Sequence, residues 1–447
     1  MSVEVRVVQT AAEEAVPGQF EAVAGTLPGS PDIQAERRAA LARFRSEGLP
    51  HRRVEEWKYT DLRRVLGEMP APVQPTGAPI GPETLAELDT WKIVIVDGGI
   101  VCLPDGLADQ GVSVTTLADT LADAGGAALL EGWPAEARSS ILELNTAFMA
   151  TGIIVSVPDG VHLDKPVHIA AVTTVPEAAA FTSRHAITVG ANASATVIES
   201  YEGPDGVSYL VNTANKIAVG RDSALTWVKI QRDGTAATHL STATIEVDQG
   251  ARLTCAPITI GAALSRNQFA MAFDGEHADV NVTGVQLLGG RQHGDTTLFV
   301  DHALPNGASR ELFKSVLDGR ARGVFQGKIV VRQDAQKVDG RMMAQSLMLS
   351  DQAEADSKPE LEIYADDVQC GHGSTSGRID EDLLFYLRAR GIPEVTAKAL
   401  LIEAFIGEAV EAIGNEAIAE ALSSLAHDWV VQHAGGASGG SNGEADA

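Results

Sequence analysis

The chain has 447 residues, of which 45% are apolar and only 5% aromatic. This composition predicts two or three structural units with a large core built mostly from Val, Ile, Leu and Ala. Lys and Arg number 34 against 60 Asp and Glu, which gives a formal net charge of −26. So acidic a surface repels phosphate backbones, and this argues against a nucleic-acid partner.

The three cysteines, Cys102, Cys255 and Cys370, are widely separated. A sparse, odd set of cysteines is not a disulfide framework, so we expect a reducing, cytoplasmic setting. The N-terminus lacks the basic and apolar regions of a signal peptide. No apolar run approaches the roughly 18 residues of a membrane-spanning helix, so we expect no association with a membrane.

Residues 1–150 are predicted to form a mostly helical N-terminal domain. Residues 1–29 show little periodicity and are interpreted as a loosely ordered lead-in. Ser30 and Pro31 resemble a helix N-cap followed by a first-turn proline, and Gly48 is placed to end that helix. The other elements expected here are a short helix over 57–66, a β segment over 91–101 and further helix over 115–150.

A strand–turn–strand motif recurs through the centre of the chain at intervals of 26–32 residues, which indicates a solenoid. Three strands of about five residues with short connections would fill a coil of this length. The pattern therefore predicts a parallel β-helix over 151–378, with a β-sandwich as the rival fold. The copies begin at Ile187, Ile217, Ile245, Met271, Leu298, Ile329 and Leu361, after a weaker copy at Val155.

After Gly377 the apolar period changes to 3.6 residues, which predicts a C-terminal helical domain over 379–433. Asp380 is placed to cap its first helix and Gly391 to end it. These amphipathic helices can either close the end of the β-helix or form a docking platform for a partner. Residues 434–447, rich in Gly, Ser, Ala and acids, are predicted to be a disordered tail.

The sequence contains none of the common catalytic signatures, such as GxSxG, HExxH or paired CxxC motifs. The nearest approach to a phosphate-binding loop, at 323–329, is too short between its glycines and lacks the Ser or Thr that would hold Mg²⁺. We therefore expect no enzyme activity from this chain alone. A β-helix enzyme acting on polysaccharide is the rival class, but it usually meets its substrate outside the cell, and no carboxylate cluster recurs on one strand face.

One cluster is suited to a metal: Cys370 and His372 lie two residues apart in the last predicted strand, so they face the same way, about 6.6 Å apart. Thiolate and imidazole both bind iron or zinc, but two ligands do not complete a tetrahedral site. The alternative is a buried cysteine beside a hydrogen-bonded histidine. Cys255 is predicted to be a core residue on the inward face, and Cys102 to pack outside the repeats. The histidines interpreted as surface or hydrogen-bonded residues are His162, His168, His185, His239, His277, His293 and His302.

Three stretches resemble the SufD family of the SUF iron–sulfur cluster assembly system. They are 48–62, which contains GLP and EEWKYTDL; 358–373, KPELEIYADDVQCGHG; and 378–392, RIDEDLLFYLRARGI. Gly371 and Ser374 depart modestly from the family pattern, and the segment 338–343 also differs from it. The paralogous SufB subunit shares the architecture, but this chain is short and cysteine-poor for a SufB-type subunit.

The resemblance implies a right-handed parallel β-helix between helical N- and C-terminal domains, in a non-catalytic scaffold subunit. It implies a heterodimer with a SufB-like paralogue through the β-helix and docking of a SufC-like ATPase on the C-terminal helices. A homodimer of the isolated chain stays open. It places His372, with Cys370, where iron or a transient Fe–S cluster is handled, with no cofactor held tightly by the chain alone. The residues expected to contribute to docking are Leu384, Phe385, Arg388, Arg390, Gly391, Leu401 and Phe405.

Overall fold

The computed structural model describes residues 9–73 and 84–434. Its centre is a parallel β-helix of about eight turns, in which consecutive strands alternate between two sheets. The mainly β fold with flanking helices is therefore confirmed. The β-sandwich is excluded, because the long strands before the final two each pair in parallel with the second strand before and the second strand after in the chain.

Each coil contains two long strands, one in each sheet. The expectation of three short strands was wrong, because most of these strands run for eight to ten residues and two of them fill the repeat. The strands of the first sheet are β3 (Ser113–Thr116), β4 (Ile153–Val157), β6 (Ala180–Val189), β8 (Leu210–Val219), β10 (Thr238–Val247), β12 (Leu264–Phe273), β14 (His293–His302), β16 (Arg322–Val331) and β18 (Glu354–Ile363). Those of the second sheet are β1 (Trp91–Val96), β2 (Gly99–Cys102), β5 (Val167–Val172), β7 (Ser194–Glu202), β9 (Ala224–Arg232), β11 (Arg252–Thr259), β13 (Asp279–Leu288), β15 (Ala308–Leu317), β17 (Asp339–Met348) and β19 (Gln369–Arg378).

The repeats stack in register, so the apolar residue that opens each copy lies above its counterpart in the next coil. Leu298 was predicted to open one copy, but Val300 occupies that position. Side chains alternate between the two faces of a strand, so this column fills the space between the sheets. The column contains, in order, Ile187, Ile217, Ile245, Met271, Val300, Ile329 and Leu361.

Part of the predicted lead-in is helical: α1 spans Ala11–Val23. Thr10 and Glu13 form a capping box, in which the Thr10 hydroxyl accepts from the Glu13 amide at 3.3 Å and the Glu13 carboxylate accepts from the Thr10 amide at 2.6 Å. The interpretation of this segment as a loose lead-in was wrong. Pro17 lies inside the helix, and a proline there argues against a helix when only the sequence is considered. Residues 1–8 lie outside the described part of the chain.

The rest of the N-terminal region combines short helices with strands that extend both sheets. The predicted helix over 115–150 is interrupted, because β3 includes its first residues, and β1 pairs in parallel with β5. Helices α2 and α5 pack with Leu210, Leu240 and Leu264 on the first sheet. The helices are α2 (Pro31–Glu47), α3 (Leu62–Val65), α4 (Leu117–Ala122) and α5 (Ser140–Phe148), with 3₁₀ turns at Glu55–Trp57, Ala108–Gln110 and Ala124–Leu129.

Three C-terminal helices follow the last strand: α6 (Glu381–Ala389), α7 (Glu394–Glu411) and α8 (Glu416–Ala434). The Asp380 carboxylate caps α6 as predicted, and Gly391 follows α6 with a φ of +84°. Helices α7 and α8 pack on the outer face of the second sheet, where Ile402 and Ile406 join the cluster of Val228 and its neighbours. The alternative in which they close the end of the β-helix was wrong.

The tail predicted over 434–447 lies outside the described residues, apart from Ala434 at the end of α8. Among the helices of the described part, none is both long enough and apolar enough to cross a membrane.

Candidate functional site at the open end of the β-helix

Cys370 and His372 lie on β19, the last strand of the second sheet. They pair in register with Gly340 and Met342 of β17. Cys370 is half-buried and packs against the interior core, whereas His372 is exposed. Since residues two apart on a strand face the same way, both side chains are directed toward the interior at its open end.

This end of the β-helix is formed by β18 and β19, the final strands of the two sheets. Within residues 9–73 and 84–434, no further strand pairs with their outer edges. Each of these edge strands is ten residues long, and most of its residues are exposed or half-buried. Unpaired backbone amides and carbonyls on a long edge form a template for pairing with another chain.

A cavity of about 740 Å³ lies beside this end and is lined by Cys370, His372, Glu311, Arg310 and Arg341, among others. Glu311 is only 2% exposed. Burial raises the pKa of Glu311 to about 8, although Ser309 and Arg310 act in the opposite direction. A buried carboxyl group therefore lies close enough to Cys370 to affect its ionisation.

Charges around Cys370 disfavour its thiolate. Burial, together with the nearby carboxyls of Asp339 and Glu311, raises the pKa of the Cys370 thiol. Burial acts to raise the pKa of Asp339 too, but hydrogen bonds from Arg310 at 2.5 Å and Arg341 at 3.0 Å hold it below its ordinary value. A bound cation would instead favour the thiolate of Cys370, because a coordinated thiol loses its proton.

The chain does not complete a metal site in this arrangement. No three His, Cys, Asp or Glu side chains in the described ranges are placed to hold one metal ion. Cys370 and His372 do come together on one strand face, as the sequence predicted. Cys370 contributes a thiol and His372 an imidazole, which fit a borderline transition metal, provided that further ligands join them.

The other two cysteines differ from each other. Cys255 is fully buried in the core between Trp227 and Val282, which confirms the prediction of an inward core residue. Cys102 is exposed and lies on β2, which pairs with β1. Cys102 lies outside the repeats, as expected, but the prediction that it packs was wrong, because this short strand leaves it exposed to solvent.

Polar side chains are buried inside the β-helix, where His239 is hydrogen-bonded, one of the two predicted alternatives for it, but the interior cluster around it was not predicted. His239 is fully buried, donates from Nδ1 to Asp233 at 2.9 Å, and accepts at Nε2 from Lys229 at 2.8 Å. The Tyr201 hydroxyl donates to Glu199 at 3.0 Å in the same interior. The available signal was the alternation itself, since these residues occupy inward positions of their strands.

The predicted docking residues divide into accessible and buried groups. Phe385 is 73% exposed, whereas Leu384 is only 6% exposed and faces the protein. Arg390 lies 4.4 Å from the ring centroid of Tyr386, which is itself exposed. Arg388 is exposed and pairs with Glu394. Leu401 and Phe405 are half-buried, and Phe405 lies beneath Lys314.

The first of the three family-like stretches forms a strap across the outer face of the first sheet. Trp57 is buried beneath the guanidinium of Arg266, 4.0 Å from its ring centroid. Thr60 donates to Asp295, which also pairs with Arg266. Lys358 of β18 forms an ion pair with the strap at 2.7 Å. The strap therefore ties the N-terminal region to the coils next to the candidate site.

The rejected phosphate-loop segment lies inside a strand. Gly323 and Gly327 are residues of β16, paired on both sides. A phosphate-binding loop instead connects a strand to a helix and turns its amides toward the ligand. The segment therefore has the wrong geometry for nucleotide binding.

Two family models cover most of the chain: the SufBD protein N-terminal region at residues 27–169 and the SUF system FeS cluster assembly SufBD core domain at residues 172–405. The β-helix with helical flanks is thus the architecture of an Fe–S cluster assembly protein of the SUF system. The chain belongs to the SufBD family.

Relatives of full length support this assignment. An iron–sulfur cluster assembly SufBD family protein of Synechocystis sp. is 31% identical over 399 residues, covering 85% of this chain and 87% of the relative. The iron–sulfur cluster assembly protein SufD of Escherichia coli is 29% identical over 377 residues, covering 83% and 87%. The chloroplastic protein ABCI7 of Arabidopsis thaliana is 25% identical over 427 residues, covering 89% and 87%.

Proposed function

We propose that this chain is a SufD-type, non-catalytic scaffold subunit of a SufBCD complex in a reducing, cytoplasmic compartment. It pairs with a SufB-like paralogue, docks a SufC-like ATPase, and presents His372, with Cys370, to iron or a nascent cluster at the interface between the two β-helices. The observation that carries the proposal is the open terminal coil, where two long strand edges have no partner among the described residues and one of these strands carries the candidate ligands.

Pairing through this end is supported by the geometry of the two strand edges. Unpaired backbone groups on an exposed edge are a liability that proteins cover, charge or pair. A paralogue with the same architecture offers edges of the same length. Closing the two ends together would also supply the ligands that the described residues lack.

Docking of the ATPase is supported by the exposed face of α6. Leu383, Phe385 and Tyr386 are apolar side chains with most of their surface in solvent, and Arg388 and Arg390 lie beside them. An exposed apolar patch with arginines is typical of a protein–protein contact. Since this chain has no phosphate loop, ATP hydrolysis belongs to the docked subunit.

The test is anaerobic reconstitution of the complex. The chain is co-purified with a SufB-like and a SufC-like subunit, and cluster formation is followed by absorbance for the native chain, His372→Ala and the control His277→Ala, whose histidine is exposed on another coil. We expect His372→Ala to retain the partners and to slow cluster formation at least about tenfold. Formation at the native rate would contradict the ligand role, and failure to co-purify would contradict the scaffold role.

A further inference from the structure

The final strand of the first sheet, β18, presents charged side chains on its outer face. Leu361 of β18 packs against the interior core, so the odd-numbered residues face inward and the even-numbered residues face outward. The outer edge of this strand has no strand partner among the described residues. Its outward residues therefore lie beside the backbone groups that an added strand would meet. All of them are charged, and four of the five are acids: Glu354, Asp356, Lys358, Glu360 and Glu362.

The strand on the other side of β18, β16, supplies the opposite charge. Arg322 of β16 pairs with Asp356 at 2.6 Å and lies 3.6 Å from Glu354. Lys328 of β16 pairs with Glu362 at 2.6 Å. Opposite charges on adjacent strands stabilise their pairing, and like charges destabilise it. The strand β16 therefore shows which kind of neighbour the acids of β18 favour.

The cations within the chain do not balance these acids. Lys358 is already shared between Glu360 at 3.2 Å and Glu55 of the strap at 2.7 Å. In these ion pairs, the four acids of β18 and the strap carboxylate share three cations. The side chains of Glu354, Glu360 and Glu362 keep 62%, 46% and 45% of their surface in solvent. Negative charge therefore remains available to an added strand.

The other edge strand at the open end, β19, lacks this charge. Its outward residues alternate with Cys370 and His372, and none of them is ionisable: Gln369, Gly371, Gly373, Thr375 and Gly377. Small and neutral positions accept a neighbour of either charge. Discrimination by charge at the open end therefore depends on β18.

A second copy of this chain is a poor match for the β18 edge. Two-fold pairing of β18 with itself is antiparallel and sets outward residues against outward residues. With Lys358 on the two-fold axis, every opposed pair is like-charged: Asp356 with Glu360, and Glu354 with Glu362. Shifting the axis by one residue gains the opposite-charge pair Lys358–Glu360, but it sets Asp356 against a glutamate. Neither register offers the charge match that β16 provides.

We infer that the strand that pairs with the β18 edge belongs to a different chain and carries Lys or Arg at the outward positions that face Glu360 and its neighbouring acids. The inference rests on the proposed function, because the paralogue is the chain that supplies this strand. What it adds is the charge by which the edge distinguishes the paralogue from a second copy.

The test compares Glu360→Lys with Glu246→Lys in binding to the co-purified SufB-like subunit. Glu246 faces outward on β10, a central strand of the same sheet, so the two variants change the net charge equally and differ in position. Calorimetric titration is run at about 50 mM and about 500 mM NaCl, because salt screens exposed charges. We expect Glu360→Lys to weaken binding at least about fivefold at low salt and less at high salt. Glu246→Lys is expected to bind within about twofold of the native chain.

Both variants are expected to keep the native unfolding midpoint, because the substituted side chains are at least partly exposed. Equal binding by the two variants at low salt would overturn the inference and leave the scaffold proposal intact. No binding by the native chain would overturn both. Stable self-association of the native chain at low salt, with hydrogen-exchange protection in β18, would also overturn the inference, because like charges would then not prevent pairing.

Discussion

At the residue scale, the three cysteines occupy three different environments. Cys102 is exposed, Cys370 is half-buried and Cys255 is fully buried. Burial, with a contribution from the charge of Glu199, raises the pKa of the Cys255 thiol, and burial also raises the pKa of Cys370. The thiolate is the reactive form of cysteine, so burial and a raised pKa both slow the reactions of Cys370 and Cys255, whereas Cys102 is accessible.

We predict that iodoacetamide modifies Cys102 first, Cys370 more slowly, and Cys255 only after unfolding, since burial limits access to the last two thiols and raises their pKa. Peptide mapping of the native and denatured chain by mass spectrometry gives the order. Modification of Cys255 in the native chain at the rate of Cys102 would show that the core around Trp227 opens.

The inward position of Cys255 was predictable because side-chain direction in a strand depends only on sequence parity. The burial of Glu311 and His239 was harder to predict from the sequence. Both occupy inward positions, but whether a polar group is tolerated there depends on residues contributed by other coils. His239 forms hydrogen bonds with Asp233 and Lys229, whereas neither carboxyl oxygen of Glu311 has a hydrogen-bond partner among the described residues.

At the element scale, α6 offers a matched pair of adjacent residues. Leu384 is buried against the protein and Phe385 extends into solvent. We predict that Leu384→Ala destabilises the fold by about 2–4 kcal/mol, because it leaves a cavity. Phe385→Ala is expected to change the free energy of unfolding by less than about 0.5 kcal/mol.

The same pair separates folding from docking. If α6 binds the ATPase subunit, Phe385→Ala weakens that complex by about 2 kcal/mol, as the loss of an aromatic anchor does at other interfaces. Denaturation midpoints and calorimetric titration with the ATPase subunit give the two quantities. If Phe385→Ala binds the ATPase subunit with native affinity, Phe385 of α6 is not part of the docking surface.

The coil period was predictable from the sequence, because the opening residues of nearly all copies stack in one column. The number of strands in a coil was not, since a repeat of about thirty residues accommodates either three short strands or two long ones. Helix α1 was missed for a related reason. The Thr10–Glu13 capping box specifies it, but Pro17 reads as a helix breaker.

At the scale of the whole molecule, buried histidines make stability depend on pH. Burial lowers the pKa of His168, His239 and His302 to about 4, with Lys92 acting on the first and Lys229 on the second. The unfolded chain binds protons to these histidines below about pH 6.5, while the native chain binds them only near pH 4. Stability is therefore lost as the pH falls through this window.

Glu311 acts in the opposite direction. Its native pKa is about 8. The free energy of unfolding therefore falls as the pH rises from the pKa of Glu in the unfolded chain to about 8. Three histidines outweigh one carboxyl group below pH 6.5, where each group contributes up to about 1.4 kcal/mol per pH unit.

We predict a lower unfolding midpoint at pH 5 than at pH 6.5, measured in the same denaturant series. His302→Asn is expected to show a shallower dependence on pH. His277→Asn, at an exposed position, is expected to follow the native curve. Equal pH dependence in the two variants would contradict the account of the buried histidines.

The location of the candidate site was predictable, because the Cys370–His372 spacing places both side chains on one face of the final strand. The residues that β15 and β17 place beside the site were not predictable. The register between strands thirty residues apart is set by the fold and not by any local motif.

The central claim, that the open end of the β-helix pairs with a SufB-like chain, is tested most directly by hydrogen exchange. Amide exchange is measured for the chain alone and in the complex with that partner. We expect new protection in β18 and β19, at residues 354–363 and 369–378, with little change in the central coils. Unchanged exchange in both strands, or protection confined to another face, would contradict the claim.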